Sequence, residues 1–418
     1  VSKLALLGGT PVSATCLARP WPSFDDRERQ GLLAVLESRA WGGYPEPSPV
    51  AARFAENFAR HHGATAGVCV TNGSVTLEVA LLALGIEAGD EVIVPTYTWI
   101  ATGVAPIHQN AVPVFVDVLP GTYCMDPDQV EAAITPRTKG IITVHLGSQA
   151  ADLDRLTAIA QKHGLFLIED CAHAHGGAWR GKGLGSWGDF GSFSFQVSKL
   201  MTAGEGGIVT TSSAELEARA HWIVNCGRKE KAYEGFAGNV LGVNGRMTEF
   251  QAAILEAQLA RLADDTAHRE RSVAYLDEQL TALGGLVPLA RDERQTSRHA
   301  YQLLLRYDAE QFAGVHRNRF LAALEAEGVD LDGAFYVPMH EHQLMWAETR
   351  HWPALRERYG DGIKSPLAKN SLSFPVTSKA AYHEAVWMHY PYLMGTRDDL
   401  DRIVEAVAKV KQHAADLL

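Results

Sequence analysis

Lys199 stands between the run Phe193-Ser194-Phe195-Gln196-Val197 and the glycine turn Gly204-Glu205-Gly206-Gly207. The run alternates as a half-buried strand does, and the glycines let the backbone bend sharply. A lysine held there is partly buried, which disfavours its ammonium and makes the amine a candidate nucleophile. Glu169-Asp170-Cys171-Ala172-His173 follows the apolar run Leu165 to Ile168. That puts an acid at the carboxyl end of a strand, where open α/β sheets bind ligands. Thr71-Asn72-Gly73-Ser74 opens the helical run Val75 to Leu84, and a helix start with small residues offers backbone N–H groups to a phosphate. Each feature also has an ordinary explanation: a structural lysine, a solvated acid, an Asn-Gly turn. Together, a phosphate cup, an acid at a strand end and a semi-buried lysine are the parts that pyridoxal phosphate requires. The acid would keep a proton on the pyridine nitrogen and the lysine would form the Schiff base. Trp99, just past another strand, could stack on the ring or belong to the core.

Elements that could hold these residues in place are legible from Ala64 onward. Short β-branched or aromatic runs at 91–95, 113–117, 140–144 and 165–168 alternate with helical spacing such as Leu153 to His163. This predicts an α/β fold with a mostly parallel sheet covered on both faces. Two further strands, 190–195 and 207–211, are joined by the Lys199 loop, which places the lysine at the mouth of the sheet. Thr248-Glu249-Phe250-Gln251 has the spacing of a capping box and predicts a long helix. Beyond about residue 265 the chain is richer in charge and ends in an amphipathic helix near 400–410, which suggests a large domain over 1–265 and a smaller one over 266–418.

Composition narrows the partners. The 418 residues are 46% hydrophobic and 21% charged, as in an ordinary globular protein, with a net charge of -11. That balance argues against nucleic acid or an anionic membrane and favours a small molecule. Five cysteines, at 16, 69, 124, 171 and 226, form no Cys-x-x-Cys pair, so neither a disulfide framework nor a zinc or other metal site is expected. No run reaches membrane-spanning length, and Leu4 to Leu7 is too short for a signal core, so a cytoplasmic location is expected.

The order and spacing of several motifs resemble the DegT/StrS family of pyridoxal-phosphate aminotransferases over roughly Trp21 to Leu262. They are Gly-Asp-x-Gly-x-Phe-Ser at 188–194, Ser-Lys at 198–199, Gly-Glu-Gly-Gly at 204–207, Glu-Asp-Cys-Ala-His at 169–173 and the stretch 244–253. The resemblance implies an aspartate-aminotransferase-like fold (fold type I). Such a fold has a large seven-stranded sheet domain, a smaller C-terminal α+β domain, and a homodimer with shared active sites. Carried over by position, it makes Lys199 the Schiff-base lysine and Asp170 the pyridinium partner. His173 would lie beside the ring hydroxyl, and Gly73, Ser74 and Ser194 would contact the phosphate. Asn244 would reach the phosphate of the neighbouring subunit, and Trp99 would stack on the ring.

The segment 385–393 is similar to that of glutamine:inosose aminotransferases and of 3-amino-5-hydroxybenzoate synthases, and 96–102 resembles the former. Where the family usually has an aromatic residue after His145-Leu146, this chain has Gly147-Ser148-Gln149, which is expected to open a polar wall in the pocket. His340, His389 and Tyr390 are the expected contacts to acceptor hydroxyls. The leading expectation is amination of a free cyclic polyol ketone with glutamine as donor. A nucleotide-linked keto-sugar as acceptor, an aminohydroxybenzoate synthase-like enzyme and a cofactor-binding sensor without turnover are the alternatives.

Overall fold

The computed structural model describes residues 3–43, 49–229, 231–346, 351–360 and 373–418. Two amphipathic helices, α1 (Asp26–Ser38) and α2 (Pro49–His62), precede the first strand. The apolar runs then form β1 (Ala66–Val70), β2 (Glu91–Pro95), β3 (Val112–Val116), β4 (Thr138–Val144) and β5 (Phe166–Asp170). A small hairpin of β6 (Ala178–Trp179) and β7 (Lys182–Gly183) leads to β8 (Phe190–Ser194) and β9 (Gly207–Thr211). Seven of these make one sheet in the order β1-β9-β8-β5-β4-β2-β3, parallel except for β9. Helices α3 (Gly73–Ala83), α4 (Ala101–His108), α5 (Pro127–Ala132), α6 (Leu153–His163) and α7 (Ala214–Val224) supply crossovers and cover.

The predicted strands 91–95 and 207–211 and the helix 153–163 match the observed bounds, and the other strands shift by one or two residues. One difference is more than a shift. Every residue of β8 is buried, and the strand ends at Ser194. The alternation read over 193–197 is therefore not sidedness: Phe195, Gln196 and Val197 step from buried to exposed as the chain leaves the sheet.

Helix α8 (Glu249–Leu283) begins at the expected capping box, with Thr248 accepting from the Gln251 amide and Gln251 accepting from that of Thr248. It runs for 35 residues, about 52 Å at 1.5 Å per residue. Its first half buries Ala252 and Leu255 with Phe193 and Phe195 under the large sheet. Its second half buries Val273, Leu276 and Leu280 against a second, antiparallel sheet of β10 (Leu286–Pro288), β11 (Gln302–Tyr307) and β12 (Ala385–His389). Residue 265 lies inside this helix. Leu4 and Leu17 join the second core, and the buried Glu327 carboxylate accepts from the Ala5 and Val12 amides and from Lys409. The N-terminal segment thus packs on the C-terminal part of the chain.

Candidate active site

A cavity of about 660 Å³ opens at the carboxyl ends of the parallel strands, and Gly73, Ser74, Trp99, Asp170, His173, Ser194 and Lys199 all line it. At one end lies the start of α3, capped by Asn72, whose side-chain oxygen accepts the Ser74 and Val75 amides at 3.1 and 3.0 Å. Gly73 is required by close approach, since a Cβ there would stand 2.4 Å from that of Ser194. Below them the Thr76 and Ser192 hydroxyls meet at 2.6 Å, tying the helix start to β8. A helix N-terminus flanked by two serine hydroxyls suits an anion.

At the far end Asp170 closes β5. Its carboxylate accepts from the Thr102 hydroxyl at 2.8 Å and the Ala172 amide at 3.2 Å. Burial nevertheless raises its pKa, so a cation beside it would be stabilising. Lys199 leaves the β8–β9 loop, its amide donating to the Gln196 carbonyl at 2.9 Å. Burial pushes its ammonium down to about 8, against the opposing pull of the Asp170 charge. His173 is held by a backbone group: the Gly147 N–H donates to Nδ1 at 3.2 Å. Nε2 therefore carries the proton and donates to the Tyr336 hydroxyl at 3.1 Å. Burial keeps this imidazole neutral by driving its pKa well down. Trp99 is 59% exposed and offers an indole face at the rim.

The cavity thus has an anion-binding end, a buried carboxylate that favours a cation, and an amine poised near neutrality. Pyridoxal phosphate carries a phosphate, a protonatable pyridine nitrogen and an aldehyde, so the residues present fit it.

The remaining expected site residues lie elsewhere. Asn244 is exposed in the segment between α7 and α8, bridged to Asn225 and away from the cavity. His340 is buried, with Nδ1 2.8 Å from the Thr96 hydroxyl and its ring edge-on to Phe374. His389 pairs with Asp332 at 3.0 Å, behind Tyr301. Tyr390 is buried and donates to the Lys199 carbonyl oxygen at 3.4 Å. These three flank the cavity without lining it. The polar wall expected from Gly147-Ser148-Gln149 does not form. The chain turns at Gly147 with φ +62, and Ser148 and Gln149 are buried facing the second sheet. There the Gln149 amide donates to the Leu289 carbonyl, and the Ser148 carbonyl accepts from Gln295 and Arg298.

Sequence reasoning missed Thr102, Tyr301 and Tyr336. Thr102 lies in the first turn of α4, close behind Trp99, and was within reach of a closer reading. The two tyrosines come from beyond residue 300, far along the chain from the other site residues, and carry no local signal. His145, Glu169 and Cys171 also cluster, and the first two are fully engaged. The Ala151 amide donates to His145 Nδ1, so Nε2 donates to Glu169, which also accepts from the Gly185, Trp187 and Gly188 amides.

The sheet order, the lysine on the β8–β9 loop and the acid at the end of β5 define a pyridoxal-phosphate enzyme of fold type I. The chain belongs to the DegT/DnrJ/EryC1/StrS aminotransferase family, whose profile matches residues 22–408. A Streptoalloteichus tenebrarius protein with the provisional name L-glutamine:3-amino-2,3-dideoxy-scyllo-inosose aminotransferase is 48% identical over 99% of this chain and 98% of its own. The same organism's L-glutamine:2-deoxy-scyllo-inosose aminotransferase is 38% identical over 99% of both chains. A solved 3-amino-5-hydroxybenzoic acid synthase superposes with a TM-score of 0.81 at 34% identity, covering 95% of this chain and 99% of that one. DesI, solved in the presence of its TDP-sugar product, superposes with a TM-score of 0.82 at 28% identity, covering 99% and 97%. Among the described residues, no helix is long and apolar enough to cross a membrane.

Proposed function

We propose that this aminotransferase moves an amino group from glutamine to the ketone of a free, hydroxylated six-membered carbocycle that already carries an amine, and that it does so as a homodimer. The observation that carries the reaction class is one cavity joining Lys199, Asp170 and the Gly73-Ser74-Ser194 cup. The acceptor class follows from the relatives at 45–48% identity, all named for 3-amino-2,3-dideoxy-scyllo-inosose. The walls support it. Trp99, Phe335 and Tyr336 offer apolar ring faces, and Lys199 is the single Lys or Arg among the described lining residues, beside the acids Asp170 and Glu205. A cationic ring suits such walls better than a nucleotide diphosphate, whose charge would meet no further lysine or arginine there.

Pyridoxal phosphate, when bound, supplies an electron sink that stabilises the charge left on carbon as a proton departs. Asp170 would hold the proton at the pyridine nitrogen, and Gly73, Ser74 and Ser194 would anchor the phosphate, joined by Asn244 from a neighbouring copy. Trp99 would cover the ring face, and His173, kept neutral by burial, would stand beside the ring hydroxyl. The Lys199 amine takes the proton from the glutamine carbon that bears nitrogen and, in the return half-reaction, delivers one to the acceptor carbon. Residues 1–265 form the cofactor-holding part and 266–418 the smaller part, with α8 shared between them.

The test compares kcat/KM under saturating glutamine for an aminodeoxy-inosose, a deoxy-inosose and a TDP-linked keto-sugar. The amino-bearing ring is expected to lead by tenfold or more, about 1.4 kcal/mol of transition-state binding. A lead for the TDP-sugar would replace the acceptor assignment with a nucleotide-linked one.

A further inference from the structure

Tyr301 stands at the entry to the second sheet and lies against the lysine of the β8–β9 loop. It directly precedes β11, and its backbone N–H donates to the Gly147 carbonyl at 3.2 Å. One neighbour of its ring is His173, stacked at 4.2 Å between centroids with the planes 27° apart. Another is Lys199, whose Nζ lies 4.7 Å from the ring centroid. The tyrosine hydroxyl is 3.0 Å from that of Ser198, the residue before the lysine. Tyr301 is therefore fixed from three sides.

The backbone leading into it is unusual. Ala300 is buried with φ +42, a left-handed conformation that an L-residue with a Cβ adopts only where its surroundings enforce it. That conformation directs the chain so that Tyr301 faces the lysine loop and Gln302 enters the strand. Among the described residues no hydrogen bond or ion pair holds Nζ, so the aromatic face is its contact. An aromatic face attracts an ammonium through the ring quadrupole, most strongly where water is excluded.

We propose that Tyr301 is a positioning residue for Lys199: its ring face holds the side-chain amine at the cavity whenever that amine is not covalently engaged. The hydroxyl bond to Ser198 keeps the ring in register with the lysine loop. This rests on Lys199 being the reactive amine. The charged and titratable groups around Nζ are Asp170 at the end of β5 and His173 and His175 in the loop beyond it, while Glu205 lines the same cavity. Both histidines are driven neutral by burial, so Asp170 and the tyrosine ring are what favour the ammonium. As the residue leading into β11 supplies the ring, the lysine is steadied by a part of the chain that holds none of the cofactor cup.

The test reads the lysine itself in cofactor-free protein: the pH dependence of Lys199 acetylation by acetic anhydride, quantified by peptide mass spectrometry. The wild type is expected to reach half-maximal reactivity at about 8. Tyr301→Phe keeps the ring and is expected to match it. Tyr301→Leu, and pentafluorophenylalanine incorporated at position 301, are expected to lower the half-point by about half to one pH unit. The fluorinated residue keeps the shape while reversing the quadrupole, so a folding defect does not mimic the result. With cofactor bound, borohydride trapping should persist in all variants. The isotope effect with α-deuterated glutamine should rise in the leucine variant and return to normal in the phenylalanine one. A fluorinated variant that titrates as the phenylalanine variant does overturns the proposal. Loss of trapping in the wild type would instead overturn the assignment of Lys199.

Discussion

Inside a protein an ammonium loses the water that stabilises it, and at Lys199 the consequence is an amine that sheds its proton near neutrality rather than near 10.5. Lys199→Ala should lower turnover by ~10³-fold or more and abolish borohydride trapping of the cofactor, read by intact mass. The shift also has a sign in stability. In cofactor-free protein between pH 8 and 10.5 the unfolded chain keeps a proton the folded one has lost, so the penalty of burying this lysine is full below 8 and relieved as pH rises. Lys199→Met should therefore lose ~1–3 kcal/mol of its stability relative to wild type between pH 7 and pH 10, checked by urea melts. An unchanged difference would contradict the burial. Lys199, Asp170 and Ser74 were legible because each stands beside a local signal, a glycine turn or a strand end. His340, His389 and Tyr390 were read as hydroxyl-binding groups because they are polar and near the site in kind. What sequence cannot display is that Thr96, Asp332 and the Lys199 carbonyl already engage them.

At the scale of elements, the site is a junction of helix and strand ends. The start of α3 and the end of β8 touch so closely that Gly73→Ala must push them apart, since its Cβ would fall 2.4 Å from the Ser194 Cβ and 3.1 Å from its Cα. The variant should lose ~1–3 kcal/mol of stability and bind cofactor roughly tenfold more weakly, measured by fluorescence titration. Strands buried at every position, such as β2 and β9, were legible to the residue because a continuous β-branched run bounded by turn residues leaves no ambiguity of side. The segment 193–197 was not, because its alternation of Phe with Ser and Gln looks the same whether a strand is half-buried or leaving a buried sheet. The capping box fixed where α8 starts, while nothing local announces that one helix serves two cores.

At the scale of the molecule, the exposed segment between α7 and α8 carries Leu241 at 93% exposure, Val243 at 51% and Asn244, none of them on this chain's own cavity. If Asn244 completes a neighbour's phosphate site, Lys199→Ala and Asn244→Ala chains, each inactive alone, should complement when co-refolded. Half the dimers are mixed and each mixed dimer has one intact site, so about a quarter of wild-type activity should return. No recovery would place Asn244 in its own subunit's site, and an Asn244→Ala chain active alone would place it outside any. Long-range assembly also explains why Tyr301 and Tyr336 were invisible in the sequence: each meets His173 only once both sheets are built. The same pairing has a consequence during synthesis. Ala66 of β1 finds its partner in Thr211 of β9, so the edge that presents the cup waits for most of the large sheet to leave the ribosome. The tyrosines behind the lysine follow later still. A nascent chain therefore has no complete cup for pyridoxal phosphate until β9 arrives. The cofactor cannot seed folding; it locks the finished product by mass action, and cells short of it would accumulate the loosely held form.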